Sequence, residues 1–198
     1  MKDVILIIIT SYLLGNFQTS YILGKIIKKT DIREFGSGNA GTTNALRVFG
    51  KKFAIATLLL DALKGVIAVI IGKYILNDMG ALISGIFVVL GHNWPVFLKF
   101  KGGKGIATTI GVALVTLPVQ GIICIAIGIS IIIKTKYVSL GTMLAVAIWP
   151  IVYLFTKRPF DHRYFIFTLI LALMAIYKHK SNISRLLRGE EAKLGKKV

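Results

Sequence analysis

The chain has 198 residues with 25 Lys plus Arg against 8 Asp plus Glu, a net charge of +17, and yet it is 55% hydrophobic and only 17% charged. Soluble domains carry about 25% charged residues, so a mean hydropathy of +0.76 excludes a disordered basic tail and leaves too little polar surface for a nucleic-acid-binding domain. Basic and apolar character coexist when apolar residues sit in lipid and cations flank them, which makes this an integral membrane protein.

A spanning helix needs about 20 mostly apolar residues. In chain order, spans are expected at Val4–Leu23, Phe53–Gly72, Ala81–Leu98, Val138–Phe155 and Tyr164–Tyr177. The first lacks an Ala-x-Ala cleavage pattern and is expected to be retained. The stretch Ile106–Ile133 is too long for one comfortable span, and its Pro118…Gly121 reads either as a turn between two short helices or as a kink in one. Charge decides between them. With a turn there, seven spans and the N-terminus outside, 19 cations lie inside and five outside, with Lys64 inside a span; with one span the split is 13 against 11. The positive-inside bias favours the first arrangement. The expected fold is therefore all-α: a single polytopic membrane domain over residues 1–198 with seven transmembrane helices, the two central ones short, N-terminus outside and C-terminus cytoplasmic. Cys124 is the only cysteine, and without a Cys/His ligand set no metal or other cofactor is expected.

Three polar segments break the apolar pattern, all on the inner side in this topology, where they can converge. The first runs Gly36-Ser37-Gly38-Asn39-Ala40-Gly41-Thr42-Thr43-Asn44-Ala45-Leu46-Arg47. Its Gly-x-Gly-x-x-Gly has no preceding strand, which removes the dinucleotide-binding reading. Glycines let successive N–H groups face one concavity, Ser37, Thr42, Thr43 and Asn44 add donors, and Arg47 adds a planar fork suited to phosphate. A flexible connector would need no arginine at that step. The second segment joins Gly91-His92-Asn93-Trp94-Pro95 to Lys101-Gly102-Gly103-Lys104-Gly105, with a helix expected from about Ile106. Exposed amides of Gly102 and Gly103 at a helix start, strengthened by Lys101 and Lys104, suit an anion; the bland alternative is a basic loop touching anionic lipid. The third segment offers His179 as a general base or phosphate ligand, weighed against a helix-end histidine that merely snorkels. In it Asn182 is expected to cap a tail helix, Ile183–Arg188. Asp61 and Lys64, on one face of the second span, read first as a structural ion pair and second as part of a pathway, and His92 as an interfacial or structural hydrogen-bonding group.

Together the segments resemble the acyl-phosphate-dependent glycerol-3-phosphate acyltransferases, the PlsY-type membrane enzymes of bacteria. The family pattern GSGNxGxTNxxR is matched from Gly36 to Arg47, and GHxxPxFxxFxGGKGxAT from Gly91 to Thr108. The third, looser pattern is met by His179, Asn182, Ile183, Arg185, Leu186, Gly189, Glu191 and Lys193, and Tyr137-Val138-Ser139-Leu140 also resembles a recurring stretch. The resemblance implies transfer of a fatty acyl group from acyl phosphate to the sn-1 hydroxyl of glycerol 3-phosphate, giving lysophosphatidate and phosphate for phospholipid biosynthesis. It places the protein in the bacterial cytoplasmic membrane with its active site facing the cytoplasm.

On that reading Ser37, Arg47, Lys104, His179 and Asn182 are catalytic. Gly36, Gly38, Asn39, Thr42, Thr43, Asn44, Lys101, Gly102, Gly103 and Ser139 bind substrate. The partners are the two substrates and the bilayer, with no nucleic acid and no obligate protein partner. No nucleophile–base–orienter trio is present, which argues against an acyl-enzyme, and no His-x4-Asp motif occurs. A phosphate transporter would be expected to show internal repeats, and a CDP-alcohol phosphotransferase clustered aspartates; neither pattern is found.

Overall fold

The computed structural model describes residues 1–194; Lys196 and Lys197, two of the cations assigned to the inner side, lie outside the described residues. Among the described residues the structure is helical and contains no strand. It divides into two compact units, Met1–Thr116 and a second from Leu117 onward.

The first unit contains α1 (Lys2–Gly15), α2 (Thr19–Lys28), α3 (Thr42–Phe49), α4 (Lys51–Asn93) and α5 (Ile106–Thr116), with 3₁₀ turns at Ile32–Glu34 and Val96–Leu98. The span expected as continuous over Val4–Leu23 is broken: α1 and α2 meet at a 41° bend. A break in an apolar span frees carbonyls that lipid cannot satisfy, so side chains must replace the lost partners. Gln18 Nε2 donates to Gly15 O (3.4 Å), and Lys64 Nζ donates to Gly15 O (3.1 Å) and to Phe17 O, while Asn16 Nδ2 adds a second bond (2.6 Å) to Tyr12 O, which already accepts from Asn16 N. Lys64 and Asp61 form the expected ion pair, 3.0 Å apart and buried.

The 43 residues of α4 are two helices joined at Leu76 and Asn77, whose backbone is non-helical. Gly72 and Gly80 would lie about 12 Å apart along an unbroken helix. Instead a Cβ on either would strike the other's carbonyl, so the halves fold back on one another. They correspond to the expected second and third spans, with the connecting loop reduced to a tight reversal. Close approach through small residues recurs at Gly15 and Gly91 between α1 and α4, and at Gly65 and Gly111 between α4 and α5. In lipid, where apolar burial gives helices little reason to associate, such backbone proximity supplies the van der Waals contact.

The second unit contains α6 (Pro118–Thr135), α7 (Val138–Ala147), α8 (Trp149–Thr156), α9 (His162–Lys178) and α10 (Lys180–Leu187). The expected Pro118–Gly121 turn is shifted: the helix is interrupted at Leu117, Pro118 occupies the first turn of α6, and Gly121 lies inside it. Proline lacks the N–H that an N1 residue leaves unpaired anyway, so it starts the helix instead of forming the turn. The expected Val138–Phe155 span bends by 42° between α7 and α8, where Pro150 sits in the first turn of α8. Gly128 and Gly141 bring α6 and α7 together, and Trp149 packs edge-on against Phe167 with ring centroids 5.9 Å apart.

Among the described residues, two helical stretches are long and apolar enough to cross a membrane, Lys51–Leu98, whose halves fold back on one another, and Pro118–Thr135, or four if each bent pair counts as one. Large apolar side chains such as Ile9, Leu59, Ile70, Ile122 and Leu173 face outward, while Thr19, Asp61, Lys64 and His92 are buried. That inversion of an ordinary soluble core is the arrangement of a multi-pass membrane protein.

Candidate active site

In the first unit the first two polar segments come together. Ile32, Ala40, Ala45 and Ala54 form a small buried cluster, with Tyr21, Leu46, Val48 and Phe49 packed against it, and this anchors the loop before α3. Asn44, 1% exposed, is the loop's internal hub. Its Nδ2 donates to Ile32 O (3.1 Å) and Phe35 O (3.0 Å), and its Oδ1 accepts from Ser37 N (2.9 Å). Gly36 and Gly38 adopt φ of +57° and +69°, which L side chains rarely tolerate, and a Cβ on Gly36 would also strike Asn44 Oδ1. Asn39 Nδ2 donates to Ser37 O at 3.0 Å. Ser37, Asn39, Thr42, Thr43 and Arg47 are half-buried around this loop and α3, which Gly41 caps. The Thr42 hydroxyl is buried without a partner, and among the described residues the Arg47 guanidinium makes no hydrogen bond or ion pair.

The second segment packs on the first. Arg33 donates through its Nη1 to Leu98 O (3.2 Å), lies over the Tyr21 ring (4.9 Å to its centroid) and pairs with Asp31 (2.8 Å). The Arg33 hydrogen bond holds the Asp31 carboxyl below its usual range. The helix expected near Ile106 begins there as α5. Gly102 and Gly103 are buried instead of exposing their amides: Gly103 N donates to His92 O (3.2 Å). A Cβ on Gly103 would strike His92 Nε2 and sit 3.0 Å from Ala40 O, so these glycines permit the two loops to touch. Lys101 is exposed and Lys104 half-buried beside them.

The second unit holds the third segment and Ser139. His179, 1% exposed, sits between α9 and α10 and caps the latter. Its Nδ1 lies 2.8 Å from Ala175 O. A carbonyl only accepts, so Nδ1 carries a proton. The expected tail helix starts earlier, at Lys180, and Asn182 lies inside it instead of capping it. Asn182 is drawn away by Glu191, which sequence reasoning had matched to a pattern without giving it a role. Glu191 Oε1 accepts from Ser139 Oγ and from Asn182 Nδ2, each at 2.7 Å, and its Oε2 accepts from Arg185 Nε at 2.7 Å. Burial opposes ionisation of Glu191, but the three hydrogen bonds and the Arg185 charge outweigh it and hold the carboxyl below its usual range. The segment after α10 is also stitched down by Leu194 N donating to Lys136 O (2.7 Å) and by Lys193 over the Tyr137 ring. The acidic pair Glu190–Glu191 in a strongly basic tail was the available signal for this hub. For Gln18 and Thr19 the signal was a polar run inside an apolar span.

The family model described as "Glycerol-3-phosphate acyltransferase" matches residues 5–189. A glycerol-3-phosphate acyltransferase of Thermoanaerobacter pseudethanolicus is 53% identical over 196 residues, covering 98% of this chain and 97% of that protein. One from Clostridioides difficile is 45% identical over 98% of this chain and 96% of the relative. Among solved structures, the glycerol 3-phosphate form of PlsY (YgiH), an integral membrane glycerol 3-phosphate acyltransferase, superposes with a TM-score of 0.90 at 33% identity, covering 97% of this chain and 96% of that one. Its lysophosphatidic acid form gives 0.87 at 31% identity, covering 97% and 95%. A helical, multi-pass membrane architecture, two glycine loops meeting beside an arginine and a lysine, and matches along nearly the whole chain agree: the chain belongs to the glycerol-3-phosphate acyltransferase family and is a membrane acyltransferase.

Proposed function

We propose that the protein transfers a fatty acyl group from acyl phosphate to the sn-1 hydroxyl of glycerol 3-phosphate, releasing lysophosphatidate and inorganic phosphate, at the cytoplasmic face of the bacterial inner membrane. The orientation rests on the cation bias of the seven-span arrangement, N-terminus out and C-terminus in.

The observation that carries the reading is Arg47. A half-buried guanidinium with no anion of its own among the described residues, next to a glycine loop and a buried unpartnered Thr42 hydroxyl, calls for an anion from outside. Both substrates carry phosphate. Arg47, Lys101 and Lys104 supply positive charge, and the loops of Gly36, Ser37, Gly38, Asn39, Thr42, Thr43, Gly102 and Gly103 shape the cradle. Asn44 contributes by fixing the first loop's form. His179, Asn182 and Ser139 belong to the second unit, where Glu191 aligns Asn182 and Ser139, and are assigned to the reaction by the family resemblance of their motifs.

The glycerol hydroxyl oxygen attacks the acyl carbonyl carbon, the bond from that carbon to the bridging oxygen breaks, and phosphate departs with the electron pair. The hydroxyl proton passes to a phosphate oxygen of the substrates. Hydroxyl and N–H donors near Ser37 stabilise charge that develops on the carbonyl oxygen. Because acyl phosphate is already activated, no covalent enzyme intermediate is required.

Purified protein given glycerol 3-phosphate and palmitoyl phosphate should release phosphate and lysophosphatidate. Turnover with acyl-CoA and none with acyl phosphate would remove the donor assignment. Arg47→Ala and Lys104→Ala should each raise KM about tenfold or more, the scale of a lost charge-assisted hydrogen bond, and unchanged KM in both would refute their role. Loss of turnover in His179→Gln with normal glycerol 3-phosphate binding would make His179 the base instead of a phosphate.

A further inference from the structure

The first unit contains a buried polar network that none of the proposed chemistry uses. Lys64 Nζ lies 3.0 Å from Asp61 Oδ1 and 2.8 Å from His92 Nδ1, and donates to the carbonyls of Gly15 and Phe17. Asp61 Oδ1 also accepts from Thr19 Oγ1 at 2.9 Å, while its Oδ2 is buried without a partner. All four side chains are at most 7% exposed.

Satisfying two carbonyls at a helix break explains the lysine but leaves the rest unaccounted for. Replacing a buried ion pair by apolar groups of similar size is often neutral or stabilising, so an aspartate with one oxygen unpaired is poor value as a stability device. The network's far end supplies the reason. An ammonium group only donates, so His92 Nδ1 accepts and the neutral ring carries its proton on Nε2. That Nε2 abuts Gly103, whose own N–H is held by His92 O, and the same carbonyl accepts from Gln18 Nε2 at 2.9 Å. His92 therefore grips Gly103 from two sides, through ring and backbone, one residue before Lys104.

We propose that Asp61, Lys64 and His92 are positioning residues for the second glycine loop: Asp61 holds Lys64, Lys64 sets the tautomer and tilt of His92, and His92 fixes Gly103 and with it the place from which Lys104 offers its charge. The proposal rests on the reading of Gly102–Lys104 as a phosphate-binding loop. None of the three touches substrate. Displacement of a binding group by even an ångström from a change made elsewhere can cost about a hundredfold, so the network acts on binding without contacting the ligand.

The test compares Lys64→Met, His92→Asn and the double variant Asp61→Asn/Lys64→Met with the unaltered protein, using glycerol 3-phosphate and palmitoyl phosphate. The double variant removes both buried charges and keeps the experiment readable where Lys64→Met alone does not fold. KM for glycerol 3-phosphate is expected to rise about tenfold to a hundredfold, with kcat changed by no more than about threefold and the unfolding temperature of the double variant at or above that of Lys64→Met. A folded double variant with unchanged KM overturns the proposal. A second readout needs no turnover: ¹⁵N spectra of the ring should show His92 Nδ1 unprotonated, and its proton should redistribute in the double variant. Identical ring signals in both proteins also overturn the proposal. Absence of acyl transfer in the unaltered protein with a redistributed His92 proton would refute the assigned reaction and leave the Lys64–His92 coupling standing.

Discussion

The two units organise their polar residues around chemically different hubs. In the first, the neutral amide of Asn44 closes a loop by bonding two carbonyls and one N–H of the backbone. In the second, the carboxylate of Glu191 gathers three side chains, Ser139, Asn182 and Arg185. A neutral hub that binds backbone sets the path of the chain and leaves nearby cations such as Arg47 available. A charged hub that binds side chains fixes functional groups directly, but it consumes a local positive charge and makes the arrangement depend on pH. Loops meant to receive anions are better built the first way, because a structural carboxylate inside them would compete with the ligand.

This difference is open to direct tests. The largest effect is expected from Asn44→Leu, which keeps the branched shape and strips all three bonds. Ser37 N would lose its partner, at about 1–3 kcal/mol, while Ile32 O and Phe35 O would keep their bonds from Phe35 N and Gly38 N and lose about 1 kcal/mol each. A loss of about 3–4 kcal/mol in unfolding experiments, with activity abolished, is expected. A small stability change with normal turnover would show that the loop's shape is set elsewhere.

Glu191→Gln should have a smaller effect. The glutamine oxygen still accepts from Ser139 and Asn182, while its NH₂ is turned toward Arg185, so one charge-assisted bond is exchanged for a poor contact at about 1–3 kcal/mol. Because the folded carboxyl lies below its usual range, ionised Glu191 contributes stability that is fully present above the unfolded glutamate pKa, about 4.3, and is lost as pH falls through the folded value. Unfolding followed from pH 6 downward should therefore show an acid-dependent loss in the unaltered protein that is reduced in Glu191→Gln. Equal acid sensitivity in both would mean that Glu191 is not a charged hub.

What could be read in advance follows the range of the interactions. Motif spacing put Arg47 and Lys104 beside glycine loops, where the structure has them, and apolar run lengths located the helices of α4, α6 and α9. The start of α5 at Ile106 was legible because Gly102–Gly105 precede it locally. The break after Gly15 was hidden, because it depends on Lys64 reaching back 49 residues to a freed carbonyl. Asn44 read as one more surface donor, since a polar loop gives no hint of which amide will be enclosed. Asn182 read as a helix cap, the local preference of its type, and was claimed instead by Glu191 nine residues onward. Nothing in the run Thr116–Gly121 distinguished a proline that makes a turn from one that starts a helix.

The mildest test asks whether the loop around Asn44 also depends on charge. Beside that loop lies Asp31, whose carboxylate is bound by Arg33 through Nε at 3.0 Å and Nη2 at 2.8 Å. Arg33 also reaches Leu98 O, so the pair ties the first polar segment to the second. Asp31→Asn retains an oxygen for the Arg33 amide N–H and for one guanidinium bond, and loses only the ionic component, in a pair whose arginine is partly solvated. Such pairs contribute about 1 kcal/mol or less. Asp31 is held below its usual range chiefly by the Arg33 hydrogen bond, so whatever it contributes is present above the unfolded aspartate pKa and disappears as pH falls through the folded one. Asp31→Asn should therefore lower stability slightly at neutral pH, the deficit should shrink in acid and in high salt, and KM for glycerol 3-phosphate should stay near that of the unaltered protein. A loss as large as that of Glu191→Gln, or a marked rise in KM, would mean that the Asp31–Arg33 pair, and not Asn44, governs the first glycine loop, and the contrast between a neutral hub and a charged one would fail.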